Sequence, residues 1–124
     1  MDPRAIKGNK TYHYRLGFPR DFAAPRRLFD LTYTDHALRE AAAEEHGVFT
    51  PPRTLNTTQA LLVQIVLDPR GRLVQATWRV RYDDDWDAVL VVDPDRKRVI
   101  TCWLNHVKDD HPHLDWERYD RPDE

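Results

Sequence analysis

The sequence predicts an α+β domain, in which an N-terminal segment of strand and helix packs on a four-stranded antiparallel β-meander. Three observations lead to this prediction. Four apolar, β-prone stretches follow one another between residues 61 and 105 and are separated only by turn signals. An alanine-rich helical stretch precedes them. The connections within the meander are too short for parallel crossovers, which need a dozen or more residues.

The four predicted strands are bounded by three turns. Residues 68–71 (Asp-Pro-Arg-Gly) and 93–95 (Asp-Pro-Asp) contain Asp-Pro, in which proline presets φ for a tight turn. Residues 83–85 are three consecutive aspartates, which are poor strand formers. Thr57 or Thr58 could instead cap a helix through 59–66, but the Val and Ile content of this segment and the hairpin signal that follows favour a strand. The predicted strands are 61–67, 72–82, 86–93 and 99–105.

Alternation along these strands predicts one core face and one polar face. The third strand is apolar on both sides, as expected for a central strand. The core face is predicted to contain Trp78, Val80, Ile100, Cys102 and Leu104, packed against the helix. The opposite face is predicted to present Gln75, Thr77, Arg79, Arg81, Thr101, Trp103 and Asn105, and it is where we expect function.

One helix is predicted before the meander. Thr34 or Asp35 caps its N-terminus, because short polar side chains accept hydrogen bonds from the first-turn amides. It runs from about 36 to 46 and contains several alanines, and Gly47 ends it. A short edge strand within 10–18 and a strand at 28–33 are expected upstream.

Length and composition describe one soluble domain. A chain of 124 residues with 40% hydrophobic and 32% charged residues can bury a single core. We predict a domain at 1–117 and an acidic, disordered and dispensable tail at 118–124. The N-terminus has no apolar run and no segment reaches membrane-spanning length, so we expect a cytoplasmic protein with no membrane association. The single cysteine, Cys102, excludes an internal disulfide and is expected to be buried.

Charge is distributed unevenly along the chain. Residues 1–34 hold seven Lys or Arg against three Asp, whereas residues 106–124 hold three against seven acids. A basic front half indicates an anionic partner at one end. The net charge of −2 favours a non-enzymatic binding module, because RNA-binding domains are usually basic.

Three groups of residues are candidates for chemistry. His36 and Arg39 share a helix face, and histidine suits acid–base chemistry near neutral pH, although a surface histidine explains the same pattern. The arginines, threonines and tryptophan of the polar sheet face can bind phosphate and stack on bases, although a solvated face is the competing explanation. The third group consists of histidines and aspartates near the C-terminus, which could bind a metal. Their spacing matches no known metal-binding motif, and a solvated tail explains them better. The members of this group are His106, Asp109, Asp110, His111, His113 and Asp115.

The order of elements resembles the small ribonuclease-toxin fold shared by barnase, EndoU, the tRNA-cutting colicins and the RelE toxins. Within it, the chain is similar to uncharacterised toxin-like domains with a Ser/Thr-x-His-Ala motif, an Arg-Gly-Ile helix end and a final Thr-x-Trp/Tyr strand. The matching residues are 34–38 (Thr-Asp-His-Ala-Leu), 47–48 (Gly-Val) and 100–103 (Ile-Thr-Cys-Trp). The chain departs from that pattern at Glu40 and His46, where the subgroup usually has arginine.

The resemblance implies RNA cleavage without a metal or other cofactor, giving 2′,3′-cyclic phosphate and 5′-OH ends. His36 is then the acid or base, Arg79 holds the phosphate and Thr101 orients it. The remaining substrate-binding residues are Arg39, Arg81, Trp103 and Asn105. RNA is the implied partner, together with a cognate inhibitor protein.

Two other functions stay open at the level of the sequence. The same sheet face could belong to a non-enzymatic binding module, such as an inhibitor or an antitoxin. The C-terminal histidines could belong to a metal-dependent enzyme. Catalysis requires His36 to lie within reach of Arg79 and Thr101, whereas a binding surface does not.

Overall fold

The computed structural model describes residues 2–44, 49–109 and 114–122. Within them the chain forms eight strands, one α-helix and three short 3-10 helices. The strands are β1 (Lys10–His13), β2 (Leu28–Asp30), β3 (Thr32–Tyr33), β4 (Thr54–Asn56), β5 (Leu61–Leu67), β6 (Leu73–Arg81), β7 (Trp86–Asp93) and β8 (Arg98–His106). The helix is α1 (Asp35–Ala42), and the 3-10 helices are Pro3–Ala5, Thr57–Gln59 and Trp116–Arg118. No helix in these ranges is long and apolar enough to cross a membrane.

The α+β class predicted from the sequence is wrong. The protein is mostly β, with a six-stranded mixed sheet in the order β1-β5-β6-β7-β8-β3 and a two-stranded sheet of β2 and β4. The four predicted meander strands are present, but β1 extends them antiparallel to β5 and β3 extends them parallel to β8. Segments with weak alternation become strands because partners far along the chain complete their hydrogen bonds. The helix has 8 residues and does not form a layer across the meander.

Aspartates begin all three meander turns. The Asp68 carboxylate accepts hydrogen bonds from the amides of Arg70 and Arg72. Between them, Gly71 adopts a positive φ of 81°, which glycine does without strain. Asp83 accepts in the same way from Asp85, and Asp93 accepts from Asp95. These carboxylates accept hydrogen bonds from backbone amides that have no carbonyl partner within a tight turn.

A bulge in the last hairpin decides which residues of β8 face the core. Val92 pairs with Val99 and Val91 pairs with Thr101, so Ile100 is an extra residue without an opposite. Val99 is therefore fully buried in the core, while Ile100 is half-buried and lines a cavity on the other face. The predicted core position of Ile100 is wrong. Trp78 and Leu104 are buried in the core as predicted, and Val80 packs against it.

Helix α1 lies along the edge of β8 beyond the short strand β3. The Thr34 hydroxyl caps the helix by accepting from the Ala37 amide, and it also donates to the carbonyl of Ile100. The Glu44 carboxylate accepts the amide of Leu104. Ala37 and Ala41 face the core, and the Cys102 thiol donates to the Ala37 carbonyl. The adjacent side of the helix, with His36 and Glu40, faces the polar side of the sheet, where Glu40 contacts Thr101.

The opposite edge of the sheet is completed by the C-terminal segment. Thr11 and Asp120 exchange two hydrogen bonds, from the Thr11 amide to the Asp120 carboxylate (2.9 Å) and from the Asp120 amide to the Thr11 carbonyl (2.7 Å). The Tyr119 hydroxyl donates to the Gln64 side chain at 2.9 Å. The domain boundary at residue 117 stays a prediction, but these contacts oppose the expectation that 118–124 is dispensable.

Candidate functional site

A cavity of about 700 Å³ lies on the sheet face opposite the core. One row of paired residues crosses its floor, with one residue each from β1, β5, β6, β7 and β8. These residues are His13, Gln64, Thr77, Val91 and Thr101. At a strand spacing of about 4.8 Å, the row spans roughly 19 Å along the sheet. Asp2 to Arg4 line the cavity as well, together with Leu114, Arg118 and Tyr119 of the C-terminal segment. The cavity has the volume of a small-ligand site.

His36, Glu40 and Thr101 form a hydrogen-bonded cluster at one end of the cavity. The Nε2 atom of His36 pairs with the Oε1 atom of Glu40, one turn later on α1. The Thr101 hydroxyl donates to the same carboxylate oxygen. The His36 side chain is 62% exposed and that of Glu40 is 35% exposed. His36 and Thr101 line the cavity, and Glu40 lies behind them as their shared partner. His36 and Thr101 therefore share one partner, the Glu40 carboxylate, which was not among the predicted site residues.

Arg79 lines the same cavity, but its guanidinium is engaged in other contacts. Its Nε donates to the Asp87 carboxylate (2.7 Å), Nη1 to the Asp109 carbonyl (2.7 Å) and Nη2 to the His106 carbonyl (2.6 Å). Only 10% of the side chain is exposed. Arg81 donates to the other oxygen of Asp87 at 2.9 Å and is 64% exposed. The geometry of Arg79 is that of a side chain that anchors the segment after β8.

The other predicted site residues divide between the cavity and its surroundings. Trp103 lines the cavity, and its indole N–H donates to the Asn105 side chain at 3.0 Å. Within the described chain, Arg39, Arg81 and Asn105 are not among the lining residues. Arg81 instead borders a smaller cavity beside Asp87.

Two buried polar residues of β6 belong to the predicted polar face but were given no role in RNA cleavage. Gln75 is 5% exposed and Thr77 is 7% exposed, and both line the cavity. Strand alternation placed them on the polar face, but nothing in the sequence distinguished them from solvated residues.

His13 was missed because it belongs to an aromatic stretch without clean alternation. It is 2% exposed, and its Nδ1 accepts the Arg15 amide at 3.2 Å. Trp116 and Tyr119 pack edge-on against its ring, with centroid distances of 4.9 and 5.1 Å. The C-terminal segment therefore encloses the histidine at the β1 end of the cavity.

Local interactions shift the pKa values of three groups around the site. At the rim, the hydrogen bond from Arg4 holds the pKa of the Asp2 carboxyl below its usual range. Burial raises the pKa of the Tyr119 hydroxyl. On the core side of β8, burial, reinforced by Glu40 and Glu44, raises the pKa of the Cys102 thiol to about 11. A protonated, buried thiol is not a nucleophile near neutral pH.

The proposed metal ligands at the C-terminus lie partly outside the described residues, which omit Asp110, His111 and His113. In the part of the chain that is described, no three His, Cys, Asp or Glu side chains cluster closely enough to hold a metal ion. His106 instead packs edge-on against Trp86, and its carbonyl accepts from Arg79.

No protein-family model matches the chain, and no similar curated protein or solved structure is found. The resemblance to ribonuclease toxins therefore stays a hypothesis based on short motifs, and the function has to be argued from the site.

Proposed function

We propose that this protein is a metal-independent endoribonuclease whose active site is the cluster of His36, Glu40 and Thr101. One observation carries the proposal. Residues from the helix and from the last strand of the meander bond to a single carboxylate oxygen at the end of a cavity large enough for a nucleotide. Acid–base catalysis requires this kind of proximity between ionisable groups and a binding site.

The cluster contains the groups that RNA transesterification uses. A base removes the proton of the 2′-OH, the 2′-oxygen bonds to phosphorus, and the bond from phosphorus to the 5′-oxygen breaks as an acid protonates that oxygen. An imidazole and a carboxylate in contact provide one proton acceptor and one proton donor. We assign these roles to His36 and Glu40. Thr101 donates to Glu40 and lines the cavity, and we assign it to positioning Glu40 and the phosphate. We further propose that the protein acts in the cytoplasm, where RNA is present.

A second candidate function is a non-enzymatic binding module, and the engagement of Arg79 favours it. The transition state of phosphate transfer is stabilised by cations. Arg79 donates to three protein acceptors, and Arg4 is ion-paired with Asp2. Arg118 also lines the cavity. A site with this charge balance can hold a single strand of RNA or an inhibitor segment without cleaving it.

The test is incubation of the purified protein with single-stranded RNA in EDTA, followed by mapping of the cut ends. Cyclic phosphate and 5′-OH ends are expected. Removing a positioned acid or base typically costs 10²–10⁴-fold, so His36→Ala and Glu40→Gln should each lose roughly this much activity. Leu38→Ala is the matched control, because Leu38 is exposed on the same helix and does not line the cavity.

The two candidate functions give different results. If the wild type does not cut RNA, or if His36→Ala cuts as fast as the wild type, the ribonuclease proposal is wrong. Fluorescence anisotropy with labelled RNA then tests the binding module. Binding without cleavage, weakened by Trp103→Ala, is the result expected for such a module.

A further inference from the structure

We propose that Gln75 and Thr77, two buried polar side chains on the floor of the cavity, recognise one base of the bound RNA. This inference depends on the proposed function for the nature of the ligand. Gln75 is 5% exposed and Thr77 is 7% exposed. Across residues 2–44, 49–109 and 114–122, neither side chain hydrogen-bonds to another protein group.

Unpaired polar groups in such buried positions are rare, because the loss of water must be offset by hydrogen bonds. Among the described residues, no polar side-chain atom that is sealed from the surface lacks a partner. The amide of Gln75 and the hydroxyl of Thr77 must therefore reach the cavity that both residues line. Their hydrogen-bonding capacity is available to a ligand there.

The chemistry of the two groups selects a base over a phosphate. A glutamine amide presents a donor and an acceptor side by side, which matches the adjacent donor and acceptor on the edge of a nucleobase. Neither Gln75 nor Thr77 carries a charge, so they offer little to a phosphate. Apolar side chains of the same cavity, including Val89, Val91 and the Trp103 indole, can pack against the flat face of a base.

The position of these residues separates recognition from bond cleavage. Thr77 pairs with Val91, which pairs with Thr101 in the proposed active site. Two strand spacings put the backbones of Thr77 and Thr101 roughly 10 Å apart. A base held at β6 thus belongs to a nucleotide that extends from the cleaved phosphate along the cavity.

The test is titration of the wild-type protein with the four nucleoside 3′-monophosphates, followed by NMR. We expect one base to bind more tightly than the other three and to shift the side-chain NH₂ resonances of Gln75. Gln75→Met keeps the length of the side chain and removes both hydrogen-bonding groups. This variant should lower the affinity for the preferred nucleotide by roughly 5- to 150-fold, which is the effect of losing a bidentate base contact, and it should abolish the preference among bases. Gln59→Met is the matched control, because Gln59 is exposed and outside this cavity.

The result that would overturn the inference is equal binding of all four nucleotides, binding of none of them, or an unchanged preference in Gln75→Met. The ribonuclease proposal fails independently. If RNA is not cleaved but the Gln75-dependent preference is present, base recognition stands and catalysis does not. If His36-dependent cleavage occurs without any effect of Gln75→Met on base preference, catalysis stands and base recognition does not.

Discussion

Replacing Arg79 with alanine is expected to lower the free energy of unfolding by about 3–5 kcal/mol, as is typical when a buried ion pair loses one partner. The side chain is 10% exposed and makes three hydrogen bonds, to Asp87 and to the carbonyls of His106 and Asp109. Each charge-assisted bond contributes about 1.5–3 kcal/mol, and bonds that share one guanidinium are not additive. The expected loss is a large fraction of the 5–15 kcal/mol typical of a domain.

Arg81→Ala is the matched control for this experiment. Arg81 donates to the same carboxylate, but its side chain is 64% exposed, so its removal should cost less than about 1 kcal/mol. The assay is urea unfolding followed by tryptophan fluorescence, with an unchanged dependence on urea as evidence of an intact fold. Arg79→Lys retains the charge but not the planar fork, and we expect it to fall between the two alanine variants.

The same variants distinguish a structural Arg79 from a catalytic one. If the free energy of unfolding of Arg79→Ala lies within about 1 kcal/mol of the wild-type value while RNA cleavage falls, the reasoning from its contacts is refuted. Arg79 would then be the phosphate ligand that the sequence predicted.

Three further predictions concern the C-terminus, the thiol and the core. Removing residues 118–124 deletes the Tyr119 hydrogen bond and the two Asp120 hydrogen bonds, and should lower the free energy of unfolding by about 1.5–4.5 kcal/mol. Tyr119→Phe removes one of these bonds and should lower it by about 0.5–1.5 kcal/mol. An unchanged melting temperature of the truncated protein would show that the tail is dispensable. Burial raises the pKa of Cys102 from 9.0 to about 11, so the thiol should react with Ellman's reagent at pH 8 only in the unfolded protein. Because the thiol ionises first in the unfolded state, the free energy of unfolding should fall as pH rises from 9 to 11. Cys102→Ala should lack this pH-dependent fall. Leu104→Ala should lower the free energy of urea unfolding by about 2–5 kcal/mol, because Leu104 is 4% exposed in the core. Ile100→Ala should lower it less, because Ile100 is half-buried beside the cavity. Equal losses would show that the bulge does not turn Ile100 away from the core.

The meander was predictable because its information is local. Asp-Pro turns and alternating strands lie next to each other in the sequence, and the bounds of β5 and β7 agree with those predicted. The strands β1 and β3 were not predictable with their partners, since those partners lie far along the chain. Alternation also cannot reveal the bulge that moves Ile100 to the cavity face, because one extra residue reverses the side-chain direction.

The site was predictable only in part, for a related reason. His36 and Thr101 could be selected by residue type and by the faces of their elements. The engagement of Arg79 could not be predicted, because two of its three acceptors are the backbone carbonyls of His106, at the end of β8, and of Asp109, just after it. Glu40 was noted as a departure from the motif, and its contact with Thr101 depends on how α1 lies along the edge of the sheet.

The arrangement of β1 and β3 around the meander has a consequence for synthesis of the chain. Both strands leave the ribosome before their partners β5 and β8 exist, whereas β5 to β8 pair with their neighbours in sequence order. We expect the meander to form first, since local pairing is fast, and the N-terminal strands to join it afterwards. Until then both outer strands of the nascent sheet are open to pairing with other chains. Refolding should therefore become less efficient as protein concentration rises, even though β1 and β3 pair with these outer strands in the finished fold.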